Sequence, residues 1–295
     1  MRCAALLAIA ALLVLASPAR AIDSETQGKI EKYLYPVARL IVGQGSGSGT
    51  VIFSASLTEE GQVQTKIAVV PRRCTTFVLT ANHVINGAVS VTHEYDPSLK
   101  KEIPVERRQT VRVDLFEYEN GSYPVGQLSL DGNIDIYTAQ HDLALVRLKS
   151  ERCFPYVSPL YPLGADPVQV TQDVWAVGAA LGHDPIPTQG IIEAVDLELE
   201  GETYIMSSAP IIFGNSGGAL FLAPDGYLIG VPTMVNVVSG FLSVTPITHL
   251  SFVVPYTTIY DWLEAEDYDW LWGVRSYEEA MRARAERIKR EQAEQ

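Results

Sequence analysis

The stretch Gly214-Asn215-Ser216-Gly217-Gly218 (GNSGG) has the arrangement that a nucleophilic serine needs. The backbone around such a serine must come close to the substrate, and two amide N–H groups must converge on one point. A Cβ at Gly214 or Gly217 would tend to block one requirement or the other. A free serine hydroxyl is unreactive, so it needs a base, and the base needs an acid that orients it. The stretch therefore predicts a catalytic serine with a histidine and an aspartate elsewhere in the chain.

A histidine and an aspartate in suitable settings occur upstream. His83 lies near the end of an apolar, β-rich run, and Asp142 opens another short apolar strand. Catalytic groups commonly lie at strand ends of a rigid scaffold. We predict His83 as the general base, Asp142 as the acid that orients it and Ser216 as the nucleophile. The amides of Gly214 and Ser216 are the predicted oxyanion donors.

The N-terminus predicts an export signal over residues 1–21. Arg2 precedes the apolar run Ala4–Ala16, and Ser17–Ala21 supplies a small-residue cleavage site after Ala21. The alternative is a membrane anchor, but the run is about 13 residues long and a bilayer needs roughly 20. We expect a secreted or periplasmic protein without a stable membrane anchor after cleavage.

Charge and composition restrict the partners. The net charge is −13, and removal of Arg2 and Arg20 with the signal would make it −15. An acidic surface repels nucleic acid and anionic lipid, so we expect protein or peptide substrates and no nucleic acid. The five histidines show no metal-ligand spacing. We therefore predict no metal and no cofactor.

The pattern of short strands predicts an all-β protein with helices only at its end. Strands recur about every 8–12 residues, which is typical of a pair of barrels or sandwiches. Four prolines in 155–167 indicate an extended linker between two halves. The pattern predicts helices over 257–265 and, from a capping box at Ser276, over 276–292. The last helix has a thin apolar stripe, which favours weak packing or solvation.

Several motifs together resemble the trypsin-like (chymotrypsin-fold) serine proteases, and most closely their bacterial Deg/HtrA-type branch. The matching motifs are Thr80–His83 (TANH), Asp142–Leu145 (DLAL), Gly214–Leu220 (GNSGGAL), Gly47–Thr50 (GSGT) and Val174–Gly178 (VWAVG). The resemblance implies two six-stranded antiparallel β-barrels with the active site in the cleft between them, followed by a C-terminal helix. It also implies peptide-bond hydrolysis through an acyl-enzyme.

This resemblance covers about residues 36–264 and gives the expected domain organisation. Because 31 residues follow Glu264, we expect no PDZ domain. The expected segments are a signal peptide (1–21), an N-terminal arm with the first barrel (22–154), a linker (155–167), the second barrel with its helix (168–264) and a charged helical tail (265–295).

The loop before Ser216 departs from the family pattern. Asn215 stands where zymogen-type relatives carry an aspartate that pairs with a new N-terminus. Ile41-Val42-Gly43 resembles such a terminus, but without the aspartate we interpret it as a strand. Phe213 and Ile212 are unusually apolar for this loop. Whether the loop is correctly set without a substrate or partner stays open at this point.

By the family pattern, Pro210 lies at the base of the primary specificity pocket and Thr233, Met234 and Val235 form its wall. Pro210 carries no charge, and Val235 replaces the glycine of relatives with large pockets. We therefore predict cleavage after small or aliphatic residues. The Thr233 hydroxyl is expected to hydrogen-bond Asp142.

The two cysteines outside the signal are predicted to form a disulfide. Cys74 precedes His83 by 9 residues, and Cys153 follows Asp142 by 11. If the two strands run antiparallel with His83 and Asp142 at one end, the cysteines meet at the other end. The alternative is a pair of buried thiols.

Two other functions stay possible at the level of sequence. Gly214-x-Ser216-x-Gly218 also fits the nucleophile elbow of α/β-hydrolases, with Asp225 and His249 as formal partners, but that fold needs alternating helices. A catalytically silent protease homologue that binds a peptide or partner is the second alternative, and the complete set of catalytic residue types argues against it.

Overall fold

A computed structural model describes residues 23–57, 63–64, 74–97, 100–118, 124–239 and 244–294. The predicted signal peptide, 1–21, lies outside the described residues. None of the helices in the described part of the chain has the length and apolarity needed to cross a bilayer.

The first half forms a ring of six antiparallel strands in the order β1-β7-β8-β9-β4-β2, which the pairing of β1 with β2 closes. Its core consists of β-branched and leucine side chains such as Leu40, Val78 and Val146, which are fully buried. The short strand β3 pairs antiparallel with the end of β2. The strands are β1 Val37–Val42, β2 Gly45–Leu57, β3 Val63–Gln64, β4 Cys74–Thr80, β5 Val89–Asp96, β6 Lys101–Arg108, β7 Val111–Tyr118, β8 Pro124–Thr138 and β9 Leu143–Leu148.

The second half is a closed barrel in the order β10-β11-β12-β15-β14-β13. Apolar side chains from β10, β13 and β14, including Val174, Leu220 and Ile229, fill its interior. Its strands are β10 Asp173–Gly178, β11 Ile186–Leu199, β12 Glu202–Ser207, β13 Ala219–Leu222, β14 Tyr227–Ser239 and β15 Val244–Pro255. The two six-stranded barrels confirm the predicted fold class.

Two features of the strands are not marked in the sequence. A charged stretch forms a two-stranded hairpin, in which β5 pairs with β6 from Val89↔Arg108 to Asp96↔Lys101. Most of its side chains are exposed, so no alternating apolar pattern marks it. In the second half, β14 is one long strand, because register shifts near Pro232 let the chain bend without leaving the sheet.

The pairing of β4 with β9 fixes both ends of the first barrel. These strands run antiparallel from Phe77↔Arg147 to Thr80↔Ala144. The segments after β4 and before β9 therefore meet at one end. At the other end, Cys74 and Cys153 form a disulfide with a Cα–Cα distance of 5.2 Å. The predicted pairing is confirmed.

The helices lie at the two ends of the chain and beside the first barrel. They are α1 Ser24–Lys29, which continues into a π-helical turn over Ile30–Leu34, α2 Asn82–Ile85, α3 Tyr256–Ala265 and α4 Tyr277–Glu294. The π-helical turn buries Tyr33, whose ring packs 5.5 Å from that of Phe221 in the second barrel. The N-terminal segment thus contacts the second barrel, although it precedes the first barrel in the sequence.

The last helix, α4, is docked on the protein body, which corrects the expectation of weak packing. Ala280 is fully buried, and the small side chain allows close approach. Tyr277 packs edge-on against Trp270, at 4.9 Å between ring centroids. Arg287 also donates to Asp267 at 3.0 Å and to Glu266 at 2.7 Å. A prediction from the apolar stripe alone underestimates the packing of α4, because it leaves out the ion pairs of Arg287.

Candidate active site

The structure places His83 and Asp142 in direct contact. His83 lies on α2, the single helical turn that follows β4. Its backbone N–H donates to Asp142 Oδ1 at 2.8 Å, and its ring Nδ1 lies 2.7 Å from Asp142 Oδ2. A carboxylate only accepts, so the neutral ring carries its proton on Nδ1. This tautomer leaves Nε2 able to accept a proton.

The carboxylate of Asp142 has a third donor from the other barrel. The Thr233 hydroxyl, on β14, donates to Asp142 Oδ2, as expected from the sequence. Burial raises the pKa of the Asp142 carboxyl, but the hydrogen bonds from His83 and Thr233 outweigh burial and bring the pKa below its ordinary value. Asp142 is therefore ionised at neutral pH.

Ser216 and His83 line one cavity of about 360 Å³. Among the residues that the structure describes, no hydrogen bond joins the Ser216 hydroxyl to the imidazole. Catalytic hydrogen bonds are often long before substrate binds, so this geometry is compatible with a base and its nucleophile. The remaining lining is mostly apolar and comes from both walls of the cavity: Ile211, Ile212, Phe213, Thr233, Met234, Val235 and Val237.

The peptide between Phe213 and Gly214 has a fixed orientation. The Phe213 carbonyl accepts a hydrogen bond from the Leu181 amide at 2.8 Å. In a trans peptide the C=O and N–H point in opposite directions, so the Gly214 N–H is directed away from Leu181. Gly214 has φ of +96°, and a Cβ there would meet the Ala179 carbonyl oxygen at 2.5 Å. This bend of the loop therefore requires glycine.

The next peptides are fixed in the same way. Asn215 N–H donates to the Ile212 carbonyl at 3.0 Å, and the Asn215 carbonyl accepts from Gly218 N–H at 2.9 Å. The N–H of Ser216 is consequently turned away from Gly218. Within the described ranges, the amides of Gly214 and Ser216 have no hydrogen-bond acceptor. Both amides predicted as oxyanion donors are thus free to bind an acceptor.

Asn215 suits its buried position as a neutral residue. Its side chain is nearly inaccessible, and in the described part of the chain its Oδ1 accepts no hydrogen bond. An aspartate there would bury a charge without a partner, which is costly. Ile41 and Val42, which resemble a zymogen terminus in sequence, lie within β1.

The predicted specificity residues separate into two groups. Thr233, Met234 and Val235 line the Ser216 cavity. Pro210 does not: it is exposed and lines a separate cavity of about 230 Å³, and its carbonyl accepts a hydrogen bond from Thr188 at 2.8 Å. The bond to β11 holds Pro210 on the outer side of the loop. Ile211 and Ile212, the next two residues, line both cavities.

An acidic wall beside the His83–Asp142 pair is a feature that sequence reasoning missed. A cavity of about 610 Å³ is lined by both members of the pair and by Glu200 and Glu202. Glu202 lies 2.5 Å from Nδ1 of His141. The signal in the sequence is weak, since Glu200 lies in an ordinary charged turn after β11 and Glu202 is the first residue of β12. No set of three or more His, Cys, Asp or Glu side chains within the described residues could hold a metal ion.

Comparison with known proteins identifies relatives for most of the chain. The family model described as a trypsin-like peptidase domain matches residues 47–231, more than half of the chain. The periplasmic pH-dependent serine endoprotease DegQ of Escherichia coli K12 is 30% identical over 168 residues, which cover 56% of this chain and 30% of DegQ. A probable periplasmic serine endoprotease, DegP-like, of Marinomonas sp. MWYL1 is 29% identical over 184 residues, covering 61% and 30%. The chain thus spans about three tenths of the length of these relatives.

Solved structures with the same fold include an HtrA-type protease and Deg5. The HtrA-type protease AlgW with tripeptide has a TM-score of 0.54 and 20% identity, covering 83% of this chain and 64% of AlgW. Deg5 has a TM-score of 0.53 and 19% identity, covering 80% of this chain and 91% of Deg5. At this level of identity, the likeness supports the fold.

Proposed function

The chain belongs to the trypsin-like peptidase family, and on this premise we propose that it is a serine endopeptidase with His83, Asp142 and Ser216 as its triad. The observation that carries the proposal is the shared cavity of Ser216 and His83, with His83 held by Asp142 at 2.7 Å. The relatives named periplasmic serine endoproteases support the same activity. Proteins or peptides are the proposed substrates.

The proposed reaction has two halves, formation and hydrolysis of an acyl-enzyme, and the same groups act in both. Ser216 Oγ attacks the scissile carbonyl carbon while His83 Nε2 takes the hydroxyl proton. The amides of Gly214 and Ser216 bind the oxyanion, a term worth about 3–4 kcal/mol per donor. His83 then gives the proton to the leaving amine, and an acyl-enzyme remains. Water, deprotonated by His83, attacks the ester, and its proton returns to Ser216 as the acid product leaves.

We propose cleavage after small or aliphatic residues. The walls of the Ser216 cavity are apolar, and Val235 narrows the space beside Ser216. No Asp, Glu, Lys or Arg side chain lines this cavity among the described residues, so a substrate Lys, Arg or Glu would lose its hydration without gaining a partner. A peptide-library profile should show Ala, Val or similar residues before the cleaved bond. A profile dominated by Arg, Lys, Glu or Phe would contradict the proposed specificity.

Export is part of the proposal. The relatives are periplasmic by name, and residues 1–21 have the pattern of a cleaved signal. N-terminal sequencing of the protein recovered from the periplasm or medium should begin at Ile22. A product that keeps residues 1–21 and stays in the membrane fraction would favour an anchor instead.

The experiment that tests the activity is labelling with a fluorophosphonate probe. The wild-type protein should be labelled at Ser216, and Ser216→Ala and His83→Ala should abolish the labelling. His141→Ala is a matched control, because His141 also has its Nδ1 beside a carboxylate but lies outside the triad. It should be labelled at the wild-type rate. A folded wild-type protein that is neither labelled nor able to cleave any library peptide would favour the catalytically silent, peptide-binding alternative.

A further inference from the structure

Ser48, on β2 of the first barrel, has its side chain fully buried against the loop that carries Ser216. Its Oγ accepts a hydrogen bond from the Ala179 amide at 2.7 Å and lies 2.6 Å from the Gly214 carbonyl oxygen. Because the amide N–H can only donate and the carbonyl can only accept, the hydroxyl proton must point to Gly214. The hydroxyl therefore has one orientation.

The backbone of Ser48 holds the same region. Its N–H donates to the Ser216 carbonyl at 2.8 Å, and its carbonyl accepts from the Thr80 hydroxyl at 2.6 Å. The surrounding backbone leaves little room, since a Cβ at Gly178 would lie 2.8 Å from Ser48 Oγ. One residue of the first barrel thus contacts both glycine and serine of the predicted oxyanion hole in the second barrel.

The hydroxyl of Ser48 restrains the Gly214 amide from two sides. It holds the Gly214 carbonyl directly. Its bond to the Ala179 amide also holds the 179–181 turn. The Leu181 amide of this turn donates to the Phe213 carbonyl, and the Leu181–Phe213 bond sets the direction of the Gly214 N–H. Glycine has wide conformational freedom, so the Gly214 N–H depends on such external bonds for its direction.

We propose that Ser48 is a positioning residue for the oxyanion hole: its buried hydroxyl, bridging Ala179 and Gly214, keeps the Gly214 amide aimed at the developing oxyanion. This inference rests on the proposed peptidase function and deepens it. Ser48 touches no reacting atom. It acts in the transition state, where the oxyanion forms, and leaves ground-state substrate binding unchanged.

The test compares Ser48→Ala and Ser48→Gly with the matched control Ser54→Ala. Ser54 lies on the same strand, and its Oγ also makes two hydrogen bonds, with the Thr76 hydroxyl and the Phe154 amide, both at 2.8 Å. It is remote from the candidate site. Each variant is measured for kcat and KM on a library-derived peptide, for inhibition by the matching peptidyl boronate, and for thermal unfolding.

We expect kcat to fall about tenfold to a hundredfold in both Ser48 variants. The upper limit is the loss caused by complete removal of one oxyanion donor, about 10²–10³ in kcat. KM should stay within about twofold, and the boronate inhibition constant should rise by the same factor as kcat falls. Ser54→Ala should keep the wild-type kcat although it loses stability. A structural role of Ser48 would lower the unfolding temperature without this kcat-specific loss.

The possible outcomes separate the inference from the proposed function. Wild-type turnover together with unchanged kcat in a folded Ser48 variant overturns the inference alone. A wild-type protein that neither turns over nor labels overturns the proposed function and the inference with it. If Ser48→Ala does not fold, Ser48→Gly decides, because β2 already has glycine on both sides of this position and the smaller residue leaves room for water.

Discussion

Replacing Gly214 by alanine should separate catalysis from folding. The residue has φ of +96°, and an added Cβ would come within 2.5 Å of the Ala179 carbonyl oxygen and 2.7 Å of the Leu181 nitrogen. Both contacts are to backbone, so neither can be relieved by turning a side chain. The loop must move away from the 179–181 turn, and the Gly214 N–H moves with it.

The magnitude follows from two separate terms. A left-handed conformation costs an alanine roughly 1–2 kcal/mol relative to glycine, and this term affects stability alone. Displacing one oxyanion donor costs about 10²–10³ in kcat, or about 2.7–4 kcal/mol of transition-state stabilisation. We therefore expect Gly214→Ala to lose at least about a hundredfold in the rate of fluorophosphonate labelling and in kcat, with a moderate loss of stability.

Gly43 offers a matched control in the β1–β2 hairpin. It also has positive φ, +58°, but a Cβ there would meet no atom within 4 Å. Gly43→Ala should lose about 1 kcal/mol in stability by urea unfolding and keep the wild-type labelling rate. If Gly214→Ala labels within threefold of wild type while folded, the Gly214 amide is not an oxyanion donor and the assignment of the hole is wrong.

Three further predictions concern stability. Replacing Cys74 and Cys153 by alanine should lower the free energy of unfolding by about 4–5 kcal/mol, the value of the chain-entropy model for their separation of 79 residues. Fluorophosphonate labelling in the cold should be retained. A loss below about 1 kcal/mol in urea unfolding would contradict this prediction. Arg287→Ala should free α4 for limited proteolysis and cost about 1 kcal/mol without changing kcat, since α4 loses its ion pairs to Asp267 and Glu266 while Asp267 keeps Arg275. Unchanged proteolysis would refute the docking role. Burial raises the pKa of Asp114, but hydrogen bonds from serine and arginine side chains prevail and lower it. Its stabilising contribution is present above about pH 3.9 and lost as pH falls through the lower folded pKa, so Asp114→Asn should flatten the acid limb of urea-measured stability.

Much of the candidate site is encoded in short stretches of sequence. The glycines around Ser216, and the positions of His83 and Asp142 at strand ends, reflect local requirements of backbone conformation and chemistry. Such features need only a few neighbouring residues, so a single sequence suffices to predict them. The disulfide between Cys74 and Cys153 depends in addition on two strands running antiparallel, a condition that the pairing of β4 with β9 meets.

Contacts between distant segments could not be predicted in this way. Pro210 is excluded from the Ser216 cavity because its carbonyl bonds to Thr188 on β11. The docking of α4 depends on Arg287 finding acidic partners some 20 residues away, which a count of apolar residues does not detect. The path of each loop is set by bonds that the local sequence does not specify.

The sequence by itself determined the family, the two-barrel fold and which residue types the site contains. The tertiary structure decided which amides are free and how they are held. Ser48 stands 166 residues from Gly214 in the chain, and Thr233 stands 91 from Asp142. Both contacts exist because the two barrels pack together along the cleft. A hydrogen bond requires donor and acceptor within about 3 Å, and for residues so far apart only the folded chain brings them that close.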